Sequence, residues 1–122
     1  MPIYKLKTFA RFARNERIDD ASLTEAIKRA AEGLLDADLG GGLIKQRVAR
    51  QGQGRRGGYR VLIAFHGADF SVFLYGFAKS QRENLDPREL RIVHQLAGYW
   101  LNASPEEIKR ALEAKELEEV RE

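Results

Sequence analysis

Three runs of apolar, β-branched and aromatic residues follow one another in the middle of the chain and predict three neighbouring strands. The runs are Leu43–Ala49, Tyr59–Phe65 and Phe70–Phe77. A loop rich in Gly, Gln and Arg separates the first two, and the turn His66-Gly67-Ala68-Asp69 separates the second from the third. Apolar runs bounded by Gly and Asp are typical of antiparallel hairpins. We therefore predict a three-stranded antiparallel meander.

The residues before the meander predict one strand and two helices. Ile3–Lys7 alternates between apolar and polar residues, as a short strand does, and Phe9–Arg14 has an amphipathic helical pattern. Ser22–Glu25 has the form of a capping box and predicts the start of a second helix. The apolar stripe of that helix consists of Leu23, Ala26, Ile27, Ala30, Ala31 and Leu34. Residues 36–42, which contain Asp and Gly, are expected to form the connection into the sheet.

Two more helices are predicted after the meander. Asp86 can serve as an N-cap, with Pro87 at the first helical position and Glu89 at the third. The helix has more apolar surface than one face of a small sheet needs, through Leu90, Ile92, Val93, Leu96, Ala97, Tyr99, Trp100 and Leu101. Ser104 begins a further short helix, and the tail beyond it is acidic.

The composition is that of an ordinary globular domain. The chain has 122 residues, of which 43% are apolar and 32% charged, and this length can bury a core without covalent staples. We expect residues 1–122 to form one domain, with 85–122 as its C-terminal helical part. The absence of cysteine excludes disulfides, thiolate metal sites and a cysteine nucleophile. Because the chain has no long uncharged apolar segment and no secretory signal, we expect a cytoplasmic protein without a membrane partner.

Positive charge is concentrated in the meander. The net charge of the chain is only +3. No acidic residue occurs between Asp38 and Asp69, whereas the bases Lys45, Arg47, Arg50, Arg55, Arg56 and Arg60 all fall there. A sheet with an unopposed cationic face suits a surface that grips polyanions.

Strand geometry predicts which of these bases share a surface. Lys45 and Arg47 stand two residues apart in a strand, so both point to the same face. In an antiparallel order the end of the third strand lies beside the start of the second. Arg60 and Lys79 are therefore expected to converge at one end of the sheet, with Arg82 close behind. Like charges packed together cost energy unless an anion joins them, so this arrangement favours a site for an anion.

Two other motifs are weaker. Gly52–Gly57 matches G-x-G-x-x-G, but a dinucleotide site needs a helix after it and a strand follows here. A protein kinase would need H-R-D and D-F-G, which are absent. The segment is either a solvated hairpin loop or a mobile basic loop that contacts phosphates. His66 and His94 are the only histidines, and no carboxylate cluster has metal-ligand spacing near them, so no metal site is predicted.

The segments Gly40–Arg50, Gly52–Arg60 and Phe73–Lys79 follow one another in a specific order and spacing. The most specific pieces are G-Y-R at the start of the central strand and G-F-A-K at the end of the last one, followed by Arg82 and Asn84. Together they resemble the RelE/ParE superfamily of bacterial toxins, most closely its HigB-like, phage-derived branch, over about residues 4–120. The resemblance implies an α+β, microbial RNase-type fold. In that fold a small twisted antiparallel sheet carries two N-terminal helices on one face, leaves a basic concave face open and is followed by C-terminal helices.

The resemblance also implies an activity and a partner. Members of the RelE and HigB type cut mRNA in the ribosomal A site without a metal or another cofactor. A 2′-hydroxyl attacks the adjacent phosphate, so the substrate is RNA and not DNA. The reaction calls for a base at the 2′-hydroxyl, cations at the phosphorane and an acid at the leaving oxygen. A cognate antitoxin, expected to be of the helix-turn-helix type, restrains the toxin.

The resemblance assigns catalytic roles to Arg60, Lys45, Arg47 and Lys79 by position. Arg60 would clamp the scissile phosphate, Lys45 or Arg47 would act as base or charge stabiliser, and Lys79 would hold phosphate or donate a proton. The bases expected to bind RNA around them are Arg50, Arg55, Arg56 and Arg82. The terminal Tyr or His-Tyr that some members use is not recognisable, so His66 and Tyr75 are candidate substitutes as acid or base.

Two other functions stay open. A ParE-type toxin on the same scaffold binds DNA gyrase and cleaves no RNA, and a nucleic-acid-binding domain has no catalysis at all. Gyrase inhibition does not need converging bases on the sheet, so the pattern of bases favours cleavage. The excess apolar surface after Asp86 suits either the antitoxin or the final helix from Ser104.

Overall fold

The computed structural model describes residues 2–50, 57–67 and 69–121, which form a six-stranded sheet and four helices. In chain order the elements are β1 (Ile3–Leu6), α1 (Lys7–Asn15), α2 (Asp20–Ala31), β2 (Ala37–Gly40), β3 (Leu43–Val48), β4 (Tyr59–Phe65), β5 (Ser71–Ala78), α3 (Pro87–Leu101), α4 (Pro105–Glu113) and β6 (Leu117–Glu119). The strand order is β2-β3-β4-β5-β1-β6; β1 and β5 are parallel, and the other described neighbours are antiparallel. The predicted α+β class is confirmed.

The three strands of the meander have the predicted boundaries to within one residue. β4 lies between β3 and β5 and is buried along nearly its whole length, which is why its sequence is apolar apart from Arg60. Tyr59 pairs with Ala78, so the end of β5 lies beside the start of β4 as predicted. Gly58 brings the chain into this pairing at close quarters, because a Cβ there would lie 2.7 Å from the backbone nitrogen of Arg50.

Residues 36–42 are more than a connection, contrary to the expectation from sequence. Ala37–Gly40 forms the edge strand β2, antiparallel to β3. Gly40, Gly41 and Gly42 have φ values of 86°, 63° and 84°, and glycine adopts such angles without a steric penalty. The chain therefore reverses sharply into β3, and β2 is too short and too polar for its period to be read from sequence.

The starts of α3 and α4 were predicted correctly, whereas α1 begins at Lys7, two residues before the predicted pattern, and α2 begins before its predicted capping box. Asp86 and Ser104 form complete capping boxes at α3 and α4. α2 begins at Asp20, because Asp19 is its N-cap and accepts a hydrogen bond of 2.9 Å from the Ser22 N–H. The prediction of a capping box starting at Ser22 was therefore wrong.

The C-terminal part is not helical throughout. Leu117–Glu119 forms β6, which pairs with β1 at the far edge of the described sheet. Leu117 and Val120 are buried there. The strand was not recognised in the sequence because acidic residues surround these two apolar positions. It is stabilised by its pairing with β1 and by the burial of the two apolar side chains.

Helices pack on both faces of the sheet. α1 and α2 pack on the face that carries Ile44, Val61 and Phe73, while α3 and α4 pack on the face that carries Leu62 and Leu74. The resemblance implied that the second face is open. In the structure α3 and α4 cover part of that face, so only the remainder is open. None of the described helices has the length and apolar character needed to cross a membrane.

Candidate functional site

Three basic side chains meet at the end of the second face where β3 finishes and β4 begins. Arg47 and Arg60 are register partners on these strands, and Lys45 lies two residues earlier on β3. All three surround the carboxylate of Asp36. The distances are 2.7 Å from Arg47 Nε to Oδ1, 3.7 Å from Lys45 Nζ to Oδ2 and 3.8 Å from Arg60 Nε to Oδ2. We call Asp36, Lys45, Arg47 and Arg60 the cation cluster.

The cationic face is not unopposed, so that expectation was wrong. Asp36 comes from the segment before β2 and its side chain is only 9% exposed. Sequence reasoning treated it as part of a connection and missed it. Recognition of the edge strand β2 would have predicted the position of Asp36. Because Ala37 pairs with Lys45, the preceding residue Asp36 lies beside the bases of β3.

Asp36 is held from the opposite face of the sheet. Gln46 is fully buried there, and its Oε1 accepts a hydrogen bond of 2.9 Å from the Asp36 N–H. The Gln46 amide donates to the carbonyl oxygens of Ala26 and Leu34, at 2.9 and 3.1 Å. Because all its polar groups are used, Gln46 ties α2, β2 and β3 together and fixes the backbone of Asp36.

The cluster remains net positive, since three cations share one carboxylate. Burial lowers the pKa of Arg60; the Asp36 charge acts in the opposite direction, and Arg47 lowers it further. A guanidinium still keeps its proton near neutral pH. The side chain of Arg60 is 6% exposed and that of Arg47 is 45% exposed, so Arg60 is the anchored cation and Arg47 the accessible one.

Arg82 and Tyr75 lie one strand further across the same face. Phe77 is the register partner of Arg60 on β5, and the Arg82 guanidinium lies 5.2 Å from the centre of its ring. Arg82 also donates to both carboxylate oxygens of Glu89, at 2.6 and 2.9 Å, and to Tyr75 Oη at 2.8 Å. The bond to Glu89 raises the pKa of Arg82 and lowers that of Glu89. Arg82 therefore joins β5 to the start of α3.

Lys79 lies at the same end of the sheet as Arg60. Its backbone N–H donates to the Gly58 carbonyl at 3.0 Å, directly before β4. Its half-buried side chain has no ion pair within residues 2–50, 57–67 and 69–121. The backbone of Lys79 therefore lies beside the residue that precedes β4.

Among the described residues, His66 and Arg50 do not lie at this place. His66 follows the last residue of β4 and lies about 20 Å from Arg60 along the strand direction; its Nδ1 is 2.8 Å from Asp69 Oδ2. Arg50 lies over the ring of Tyr59, at 5.9 Å, on the face that α1 covers. Arg55 and Arg56, and most of the G-x-G-x-x-G motif, lie outside the described residues.

A cavity of about 180 Å³ adjoins the cation cluster. Its lining residues come from four strands, α3 and the segment before α3: Leu39, Lys45, Leu62, Phe77, Asn84, Leu85 and Leu90. Lys45 Nζ donates to Asn84 Oδ1 at 3.0 Å, which closes one side. Sequence reasoning gave Asn84 no role beyond its place in a motif.

The apolar surface of α3 is divided between two uses. Val93, Ala97 and Trp100 are buried in the core that α4 also joins. Ile92 and Tyr99 stay 51% and 55% exposed. The final helix therefore covers one part of the apolar surface, and another part remains accessible.

The fold and the cluster define a class: a small α+β protein whose sheet presents bases suited to hold a polyanion. The model of the family described as RelE toxin of the RelE/RelB toxin-antitoxin system matches residues 1–120. The chain therefore belongs to the RelE toxin family, and the resemblance to the RelE/ParE superfamily is confirmed. No curated protein and no solved structure matches the chain.

Proposed function

We propose that this toxin is a ribosome-dependent mRNA endoribonuclease of the HigB-like branch, acting without a metal or other cofactor. RelE family toxins are generally endoribonucleases. The observation that carries the proposal is the meeting of Lys45, Arg47 and Arg60 around one carboxylate. Such a preorganised set of cations suits the extra negative charge that develops on a phosphorane.

In this proposal the RNA phosphate takes over contacts that Asp36 now makes. Arg47 is the accessible cation, so it meets the phosphate first. Arg60 is anchored by burial and supplies a guanidinium of fixed direction to the phosphorane. Lys45, two residues before Arg47 on the same face of β3, stabilises charge beside it, and Lys79 contacts the next phosphate along the strand of RNA.

Tyr75 is the residue we assign to the leaving 5′-oxygen. Its hydroxyl oxygen accepts from Arg82, so its own proton is available for donation. Tyr75 and Lys45 are both register neighbours of Leu62, on either side of it, about 10 Å apart across the sheet. A dinucleotide linkage laid over Leu62 would have Lys45 on one side and Tyr75 on the other.

Primer extension on a translated message after induction tests the proposal. The wild type should produce new 5′ ends within codons, and the fragments should carry a 5′-hydroxyl. Arg47→Ala should reduce cleavage roughly 100-fold, in line with the loss of one charge-stabilising donor. Arg14→Ala is the matched control: its side chain is 62% exposed, on a helix of the other face, and it should cleave like the wild type.

Each failure of this experiment has a distinct meaning. Ends that also appear in an untranslated message would contradict ribosome dependence. Full cleavage by Arg47→Ala would contradict the site. Absence of cleavage together with inhibition of gyrase supercoiling would favour the ParE-type alternative.

A toxin of this family implies an antitoxin partner. We propose that the antitoxin is of the helix-turn-helix type and covers the exposed part of α3, where Ile92 and Tyr99 lie in reach of a partner. Co-expression with the product of the adjacent short reading frame should give a stable complex. Ile92→Glu should weaken that complex, whereas Thr8→Glu, the same added charge at an exposed position of α1 on the other face of the sheet, should leave it intact.

A further inference from the structure

The cavity beside the cation cluster has the composition of a pocket for one flat ring system. Leu39, Leu62 and Leu90 supply apolar walls, and the ring of Phe77 supplies an aromatic one. A volume of about 180 Å³ lies below the range of pockets for drug-sized ligands. The space therefore suits a single ring system better than a whole nucleotide.

The cavity and the cluster are parts of one surface. Lys45 belongs to both, since it lines the cavity and lies 3.7 Å from Asp36. Phe77 also links them, because it is the register partner of Arg60. A phosphate held by the cluster would consequently place its own base, or the next one, at the mouth of the cavity. Stacking of bases on aromatic side chains is a common means of binding single strands.

The described side chains that line the cavity offer donors to a ligand, because the acceptor among them, Asn84 Oδ1, is engaged by Lys45. The Lys45 ammonium can only donate, so the amide of Asn84 must turn its oxygen toward it. The remaining polar group of Asn84 is then an NH₂ with two donors. The other lining side chains are apolar. A ring with acceptors on its edge can accept hydrogen bonds from Lys45 and Asn84. A ring with an amino group on that edge would bring a donor against these donors.

We propose that this cavity is a nucleobase subsite that prefers keto bases, guanine or uracil, next to the cleaved linkage. Guanine presents O6 and N7 as acceptors on one edge, and uracil presents its carbonyl oxygens. On the corresponding edge adenine and cytosine present an amino group, which would oppose the donors of Lys45 and Asn84. The inference rests on the proposed function for the identity of the polymer, but binding to the subsite is tested without cleavage.

The test is a titration of the purified protein with the four ribonucleoside 5′-monophosphates and ribose 5-phosphate, followed by NMR. The Asn84 side-chain amide and the methyl groups of Leu39 and Leu90 report on the cavity. GMP and UMP should shift these signals and bind at least roughly 5-fold more tightly than AMP and CMP, the lower end of discrimination by paired hydrogen bonds. Ribose 5-phosphate should leave the cavity signals unchanged.

Three variants separate the cavity from general electrostatics. Asn84→Asp keeps an acceptor for Lys45 and removes both donors, so it should abolish the preference among bases. Asn102→Asp adds the same charge at the other end of α3 and should keep the preference. Leu39→Phe fills the cavity from the edge strand, and it should weaken all four nucleotides while ribose 5-phosphate binds as before.

Equal affinity for the four nucleotides, or no cavity signal with any of them, would overturn the subsite. In the primer-extension experiment, the bases beside the cuts should be enriched in G and U, and Asn84→Asp should flatten that enrichment. Cuts with no base enrichment in the wild type would also overturn it. Absence of cuts in the wild type, with the keto preference present by NMR, would refute the proposed nuclease and leave the subsite standing.

Discussion

Asp36→Asn tests whether the carboxylate of Asp36 holds the cation cluster together. The substitution keeps the size of the side chain and leaves the backbone bond to Gln46 intact, so it removes one charge and little else. At the three observed distances, each attraction is worth about 4–6 kcal/mol at an effective dielectric constant of about 20, before desolvation is subtracted. Desolvation offsets most of this sum, and the exposed Arg47 is partly screened by solvent.

What remains is the cost of leaving buried Arg60 without its main counter-charge. Removal of one partner from a buried ion pair costs about 3–5 kcal/mol. We expect about 3 kcal/mol here, at the lower end, because Lys45 and Arg47 can turn toward water. For a domain of this size that loss corresponds to a fall in Tm of roughly 10 °C.

Urea unfolding followed by circular dichroism measures the effect. Asp69→Asn is the matched control, since Asp69 is 69% exposed and its ion pair with His66 lies at the surface; it should cost less than about 0.5 kcal/mol. Addition of RNA should raise the Tm of Asp36→Asn more than that of the wild type, because the phosphates of the RNA replace the missing negative charge. An Asp36→Asn protein as stable as the wild type would refute the reasoning.

Three further predictions concern the parts around the cluster. Gly58→Ala should destabilise the protein by about 2 kcal/mol or more by urea unfolding, because its Cβ would collide with the backbone of β3, whereas Gly98→Ala, with open space around it, should not destabilise it. Arg60→Lys keeps the charge but loses the planar fork, so cleavage by primer extension should fall roughly 100-fold, while Arg11→Lys, at an exposed position of α1, should leave cleavage unchanged. The hydrogen bond from Arg82 lowers the pKa of Glu89 in the folded protein. The pair therefore stabilises the fold at pH values above the ordinary pKa of Glu89, and this stabilisation is lost as the pH falls through the lowered pKa. Glu89→Gln should therefore flatten the acid side of a stability-against-pH curve, and an unchanged curve would contradict the pair.

Local patterns were enough to predict the meander and the starts of α3 and α4. Apolar runs and capping residues act within a few positions, so a sequence reader can find them. β2 and β6 could not be found in this way, because each is a short polar strand that exists only through pairing with β3 or β1. For the same reason Asp36 was missed: alternation tells which side of its own strand a residue faces, but not which acid from another segment lies opposite.

The candidate site shows the same limit. The convergence of Lys45, Arg47 and Arg60 follows from strand pairing, which the meander made predictable. The position of His66 was not predictable in this way. Its place in a turn does not tell whether that turn lies at the same end of the sheet as the cation cluster, and the structure places it at the other end. Arg82 was expected to contact RNA, yet Glu89 already binds it through two hydrogen bonds. Composition could not reveal that partner.

The carboxylate of Asp36 inside the cation cluster is consistent with the proposed cleavage and does not argue against it. Without Asp36, three cations would have to be kept close together in the free protein, and their repulsion would drive Arg60 out of its buried place. In the proposed function, Asp36 holds them in position until a phosphate of similar charge arrives. Because Arg47 is exposed and Arg60 is not, the phosphate can displace the carboxylate from Arg47 first while Arg60 remains fixed. The free and the RNA-bound cluster would then have the same geometry, which is the condition for preorganised charge stabilisation.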